Sequence, residues 1–164
     1  MKTFGKVFGI ILVCLVVLVG VLRVTGLEPK DRRPGLWLKG DLVTEPVTDW
    51  SFVSKYATDR VQTRTWYFIP HSVNTGFIVY NNQLYLTSAF AAGVPYPQGK
   101  SWVSNVYRDP HVRLKFGNQL FDRTLSPVTD PAERASVLQA LAERNHQQTS
   151  SNGSTMHLFH VLPE

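Results

Sequence analysis

Apolar residues fall into two regimes along this chain. From Val7 to Leu22 they run unbroken, 16 residues with no charge or strongly polar side chain, bracketed by Lys2 and Lys6 before and Arg23 after. A bilayer crossing needs about 20 predominantly apolar residues. Phe4 and the stretch Val24 to Leu27 extend the run to that length if Lys6 and Arg23 snorkel. The pattern predicts an uncleaved transmembrane anchor over 1–27. A cleaved signal peptide is the alternative, since Val24 and Gly26 are small enough to precede a cut, but no Ala-x-Ala pattern is present. Cations stand on both sides, Lys2 and Lys6 against Arg23, Lys30, Arg32 and Arg33, so the positive-inside rule assigns no side of the membrane.

Beyond the anchor the period shortens. Residues 28–35, EPKDRRPG, form a charged, Pro- and Gly-punctuated linker, and a single domain is expected over 36–164. Short runs of aromatic and β-branched residues there carry the strand signature. Leu36 to Thr44 is a first strand, and Trp50 to Tyr56 an element of unassigned type. Val61 to Ile69 alternates as a strand with Val61, Thr63, Thr65, Tyr67 and Ile69 on one face. Phe77 to Tyr80 and Leu84 to Thr87 flank Asn81-Asn82, a two-residue hairpin turn, because Asn tolerates positive φ. Ser88 to Gly99, rich in small residues and Pro, is a loop.

The second half repeats the style. Ser101 to Arg108 is a short helix with Ser101 as its N-cap, ended by Asp109-Pro110. Val112 to Phe116 and Leu120 to Leu125 form a hairpin around Gly117-Asn118. Asp130-Pro131-Ala132-Glu133 opens a helix to about Asn145 through a capping box, with Ala135, Leu138 and Leu141 facing the core. A polar loop over 147–154 leads to a last strand, Met156 to Leu162. The class is α+β, mainly antiparallel β: a small barrel or sandwich with two short helices, preceded by a transmembrane helix.

Composition then narrows the function. The 164 residues carry a formal +5, from 17 Lys+Arg and 12 Asp+Glu. Three of the cations, Lys2, Lys6 and Arg23, flank the apolar segment, which leaves 14 against 12 over residues 28–164. The cations there are scattered singly, without the basic stripe of a nucleic-acid binder, so nucleic acid is not an expected partner. One cysteine, Cys14, lies in the anchor, which excludes an intrachain disulfide and a cysteine zinc cluster.

No nucleophile elbow, phosphate-binding Gly loop or His-Glu zinc motif is present, and no catalytic residue or metal ligand is assigned. His157 and His160 fall on opposite faces of a strand and cannot readily share a metal. Arg64 and Thr65, in an otherwise apolar or aromatic strand, can hold a phosphate in a fork; a cross-strand salt bridge or a solvent-facing Arg64 is the plain alternative. Ser88 and Ala89 open a small-residue stretch that lets a flat ligand approach the backbone. Lys100 and Ser101 at a helix start combine a cation, a hydroxyl and free N–H groups, and Trp102 offers a plane beside them. His71 follows a strand and could line a site.

The order LYLTSAF, loop, KSWVSNVYRDPHVRLKFG and then TDPAER resembles the deazaflavin-dependent nitroreductase family. That family lies within the pyridoxamine-phosphate-oxidase-like split β-barrels, whose other members bind flavin mononucleotide (FMN). The likeness covers Val61 to Leu162, and the spacing of Trp102, Asn105, Pro110 and Val112 is its most specific part. The resemblance implies a split β-barrel, a deazaflavin or FMN cofactor, and a homodimer. It places Arg64 and Thr65 on cofactor phosphate, Ser88 and Ala89 at the ring system, and Trp102 and Asn105 beside the cofactor, with Lys100 and Ser101 adding an anion site. Tyr67 and His71 fall on the substrate side. The sequence departs from the family in Thr63-Arg64-Thr65-Trp66, which stands where a Gly-Arg-Lys-Ser/Thr-Gly motif is expected, and in Phe90-Ala91-Ala92-Gly93, which replaces a double Gly. The implied activity is hydride transfer to an electron-poor, lipophilic substrate such as a quinone or nitro compound at the membrane. A barrel whose pocket is filled by Trp66 and Phe90, serving as a cofactor-free binding or assembly module, is the alternative.

Overall fold

The structure is a computed structural model that describes residues 2–145 and 154–162. Helix α1, Lys2–Thr25, is the apolar N-terminal run. Its stretch Lys6–Thr25 has a mean hydropathy of 3.0 and is long and apolar enough to cross a membrane. Gly26, at φ 78°, breaks the helix in the left-handed region that glycine enters freely; its N–H still reaches Leu22 O at 2.9 Å.

The stretch from 26 to 43 is strapped onto the domain. Gly35 exchanges both backbone bonds with Ser72, at 2.8 and 3.0 Å. The Glu28 carboxylate pairs with Lys115 and, at 3.2 Å, with Arg60. Of the strand expected over Leu36 to Thr44, only β1, Asp41–Leu42, is regular, and it runs parallel to β6 (Gln119–Pro127). The remainder is shaped by contacts that no local pattern encodes, such as Leu38 N–H donating to the Gln62 side chain at 2.7 Å.

Six strands close into an antiparallel barrel. β2 (Asp59–Thr63) pairs with β3 (His71–Tyr80), β3 with β4 (Gln83–Phe90), β4 with β7 (Thr155–Leu162), β7 with β6, β6 with β5 (His111–Phe116), and β5 returns to β2. Alternation places Val61, Phe77, Leu84, Leu86, Leu114, Phe121 and Phe159 in one buried interior. Two short helical elements complete it. A 3-10 turn, Ser51–Lys55, supplies Val53 beside Trp50, which packs on Phe116 and Phe121. Helix α2, Ser101–Arg108, supplies Trp102, Val103 and Val106. The hairpin turn falls at Asn81-Asn82, with φ 49° and 64°.

Helix α3, Pro131–Asn145, packs on the outer wall, where Val137 and Leu141 meet Ile78, Tyr85 and Leu158. Asp130 caps it, accepting from Glu133 N–H at 2.7 Å. Two expectations change. Val137, not Ala135, joins Leu141 as a buried residue of the helix, and the Glu133 carboxylate does not return to the cap but accepts the Tyr85 hydroxyl at 2.9 Å. The polar loop expected over 147–154 lies outside the described residues except at Ser154.

Candidate functional site

The strand expected over Val61 to Ile69 ends at Thr63. Thr65 donates its hydroxyl to Ile69 O, Phe68 N–H reaches Thr65 O at 3.3 Å, and Phe68 takes φ 65°. Pro70 has no N–H to continue a ladder. Residues 64–70 therefore form a turn, and the aromatics expected at strand positions are at its tip. Trp66 is 76% exposed and fills no pocket.

A polar network grows from the end of β2. Asn105, on α2, donates to Thr63 Oγ1 at 2.9 Å, and Thr63 Oγ1 donates to His71 O at 3.2 Å. Arg108, one turn further along α2, donates to Arg64 O and to Asn105 Oδ1. The Arg64 guanidinium, 72% exposed, stands 3.4 Å from Asp109, which also accepts from His111 Nδ1 at 2.7 Å. Burial pushes the Asp109 carboxyl up, but the His111 ring and backbone bonds and the Arg64 charge outweigh it, so its pKa lies below the ordinary carboxylate value. The structure shows the plainer of the two sequence readings of Arg64, solvent-facing and ion-paired, and the side chain also borders a cavity.

Two adjoining clefts open here. One, of about 520 Å3, is lined by Trp37, Gln62, Arg64, Thr65, Phe68, Pro70, Arg108 and Asp109. The other, of about 420 Å3, shares Trp37, Gln62 and Arg64 and adds Arg23, Lys39 and the outer faces of β5 and β6. There Arg113 and Asp122 form a two-pronged ion pair, both bonds 2.7 Å. Among the described residues no group of three His, Cys, Asp or Glu could hold a metal.

The other expected residues divide. Ser101 Oγ bonds His71 Nε2 at 2.8 Å, tying the start of α2 to the start of β3. Ser101 is not the cap; Lys100 occupies that position with extended backbone and no side-chain cap bond. Its ammonium sits 5.4 Å from the Phe90 ring centroid, and partial burial lowers its pKa. Burial likewise lowers His71. Ser88 and Ala89 are not loop residues: β4 continues to Phe90 because β7 supplies a partner, with Ser88 opposite His157 and Ala89 opposite Met156. Strand alternation then puts them on opposite sides of the wall. Ser88 is buried inside with an unpartnered hydroxyl, and Ala89 is outside. Trp102 is buried against Phe159, 5.3 Å between rings, and lines neither of these two clefts. Tyr67 lies exposed on the turn, edge-on to Trp66. Sequence reading missed Trp37, Gln62, Arg108 and Asp109; the last two sit at the end of a helix, where a cation and an Asp have ordinary capping explanations.

No protein-family profile matches the chain, and no curated protein matches it in sequence. Solved structures do match in fold. A protein of Listeria innocua assigned as a pyridoxamine 5'-phosphate oxidase shares 17% identity, over 70% of this chain and 89% of its own, at a TM-score of 0.50. A Bacteroides thetaiotaomicron protein assigned to 5-nitroimidazole antibiotic resistance shares 14%, over 82% and 90%, at 0.51. HutZ, the heme storage protein of Vibrio cholerae, shares 16%, over 69% and 85%, at 0.51. The chain has the fold of the pyridoxamine-phosphate-oxidase-like split β-barrels.

Proposed function

We propose that this chain is a membrane-anchored split-barrel oxidoreductase. A flavin-type cofactor, FMN or a deazaflavin as in the deazaflavin-dependent nitroreductases, would exchange hydride with an electron-poor lipophilic substrate such as a quinone or nitro compound. The observation that carries this reading is the 520 Å3 cleft, where Arg64, Thr65 and Arg108 stand beside the flat side chains of Trp37 and Phe68. Guanidinium and hydroxyl donors suit a phosphate, and aromatic planes suit a ring system. These residues fit such a group in kind. Ser88 and Trp102, enclosed in the barrel, leave the set of contacts.

A bound flavin supplies the redox chemistry. The chain's part is to hold and orient it. Arg64 would exchange Asp109 for phosphate, while Arg108, fixed to Arg64 O and Asn105, holds that backbone in place. Ser101 and His71 brace α2 against β3 at one side of the network. A helix crossing the bilayer would keep the cleft within reach of lipid-soluble substrates. A second copy of the chain is the expected partner.

The cofactor-free reading keeps one observation, the burial of Phe90 among Tyr96 and His157. Spectra of the full chain in detergent, titrated with FMN and with a deazaflavin, separate the two. Binding of either supports the oxidoreductase. No bound chromophore and no affinity for either removes it. Arg64→Ala should weaken binding about tenfold, the cost of one charged hydrogen bond, whereas Asp109→Asn, which releases Arg64, should tighten it.

A further inference from the structure

Trp66, Tyr67 and Phe68 form the tip of the turn between β2 and β3, with exposures of 76%, 48% and 96%. Other aromatics of the domain, Trp50, Phe77, Trp102 and Phe159 among them, are buried, and the exposed Phe52 and Tyr107 stand singly, at 39% and 50%. Phe68 also stands at φ 65°, a region that a bulky side chain enters at a cost in strain. Hydration of three adjacent rings and a strained backbone are both unfavourable in water. A site carrying both points to a surface that receives the rings.

That surface is identified by what lies beside the turn. Arg23 is in the last turn of α1 and lines the 420 Å3 cleft with Trp37, Lys39 and Arg64. Trp37 and Arg64 continue into the adjoining cleft, whose rim includes Phe68. The aromatic tip and the end of the apolar helix thus border one continuous depression. Neither Arg23 nor Lys39 has an ion pair among the described residues. Trp and Tyr favour the headgroup layer, where an apolar body and a polar tip are both satisfied, and cations beside a membrane helix favour anionic lipid phosphates.

We propose that the Trp66–Phe68 turn is a second bilayer contact, seated at headgroup level beside α1, with Arg23 and Lys39 on the phosphates of anionic lipids. This rests on the reading of α1 as a membrane anchor. Two contacts fix the tilt of the barrel and hold the mouth of the cleft against the lipid surface.

The test uses the full chain reconstituted into vesicles of phosphatidylcholine and phosphatidylglycerol, with and without brominated acyl chains. Flotation reads α1, and tryptophan quenching reads the turn. The expected result is a chain that floats and is quenched by brominated lipid; in a Trp37→Phe background, which removes the other tryptophan of the clefts, Trp66→Phe should lose most of the quenched emission, since Trp50 and Trp102 are enclosed in the barrel. Phe68→Asn, which suits the positive φ and leaves folding intact, should lower quenching of Trp66. The pair Arg23→Gln and Lys39→Gln should remove its dependence on phosphatidylglycerol and salt. A Trp37→Phe chain that floats and keeps the same quenching when Trp66→Phe is added overturns the proposal. So does a Trp66 that brominated lipid leaves unquenched but that cross-links to a second copy. Failure to float removes the anchor, and the turn contact with it.

Discussion

Replacing Glu28 by Gln tests whether the strap over residues 26–43 is part of the folded domain. Glu28 is the only acid among the described residues that pairs with Lys115, whose side chain is 8% exposed. The amide variant would keep the shape and the acceptor for Lys39 N–H, a 3.3 Å bond, but would leave the Lys115 ammonium buried without a counter-charge. Removing one member of a buried pair costs about 3–5 kcal/mol. Glu28 is 28% exposed and its second partner, Arg60, is 37% exposed, so water recovers part of this and we expect about 2–3 kcal/mol. For a domain of this size that is a fall of roughly 6–9 °C in melting temperature, measurable by intrinsic-fluorescence melting of the full chain in detergent. The double variant with Lys115→Met should recover most of the loss, because no buried charge then lacks a partner.

Acid should erase the same contribution in the native chain. Burial raises the Glu28 carboxyl, but the Lys115 and Lys39 hydrogen bonds and the Lys115 and Arg60 charges outweigh it and set its pKa below the ordinary 4.5. A carboxyl lowered by folding stabilises fully above its unfolded pKa, and the effect is lost as pH falls through the folded value. Melting temperature plotted against pH should therefore drop less below pH 4.5 in the Glu28→Gln variant. A variant that melts with the native chain and follows the same acid limb would refute the argument that the strap is integral.

Other perturbations probe the remaining contacts. Burial lowers the pKa of His71, and of His157 and His160, so folding favours their neutral forms; stability should be full above pH 6.5 and decline below it, and His71→Gln should flatten that slope in pH-dependent melting. Asn82→Gly should preserve the left-handed turn, while Asn82→Val should cost about 1–2 kcal/mol in denaturant unfolding, as a branched side chain meets φ 64°. Phe159→Ala, which empties a fully buried site beside Trp102, should cost about 3–5 kcal/mol by the same measurement.

The barrel is legible where a local rule governs. Asn81-Asn82, Gly117-Asn118 and the Asp130 cap each carry their own geometry, and the strands around them alternate. It is illegible where a distant partner decides. Ser88 to Phe90 reads as loop from its small residues and the Pro-rich stretch that follows, yet β7, at the far end of the chain, keeps it in the ladder. Thr65 to Ile69 reads as strand from its aromatics, yet it lacks a partner and turns outward. The same division marks the candidate site. Arg64, Thr65, Asn105, Ser101 and His71 gather at one end of β2, β3 and α2. Asp109, which holds Arg64 across 45 positions of sequence, cannot be seen from a cap motif, nor can Ser88 be seen facing inward while its strand reads as loop.

The strap has one more consequence, for solubility. β3 pairs with β4 only from Gly76 onward, and β6 pairs with β7 only from Thr124 onward, so each strand leaves half an edge open. Gly35 occupies the first seam at Ser72, and Asp41 to Val43 occupy the second beside Gln119 and Leu120. Exposed edges are templates on which a foreign strand can add. By covering both, the residues that follow the apolar helix also shield the barrel from edge-to-edge aggregation with its neighbours.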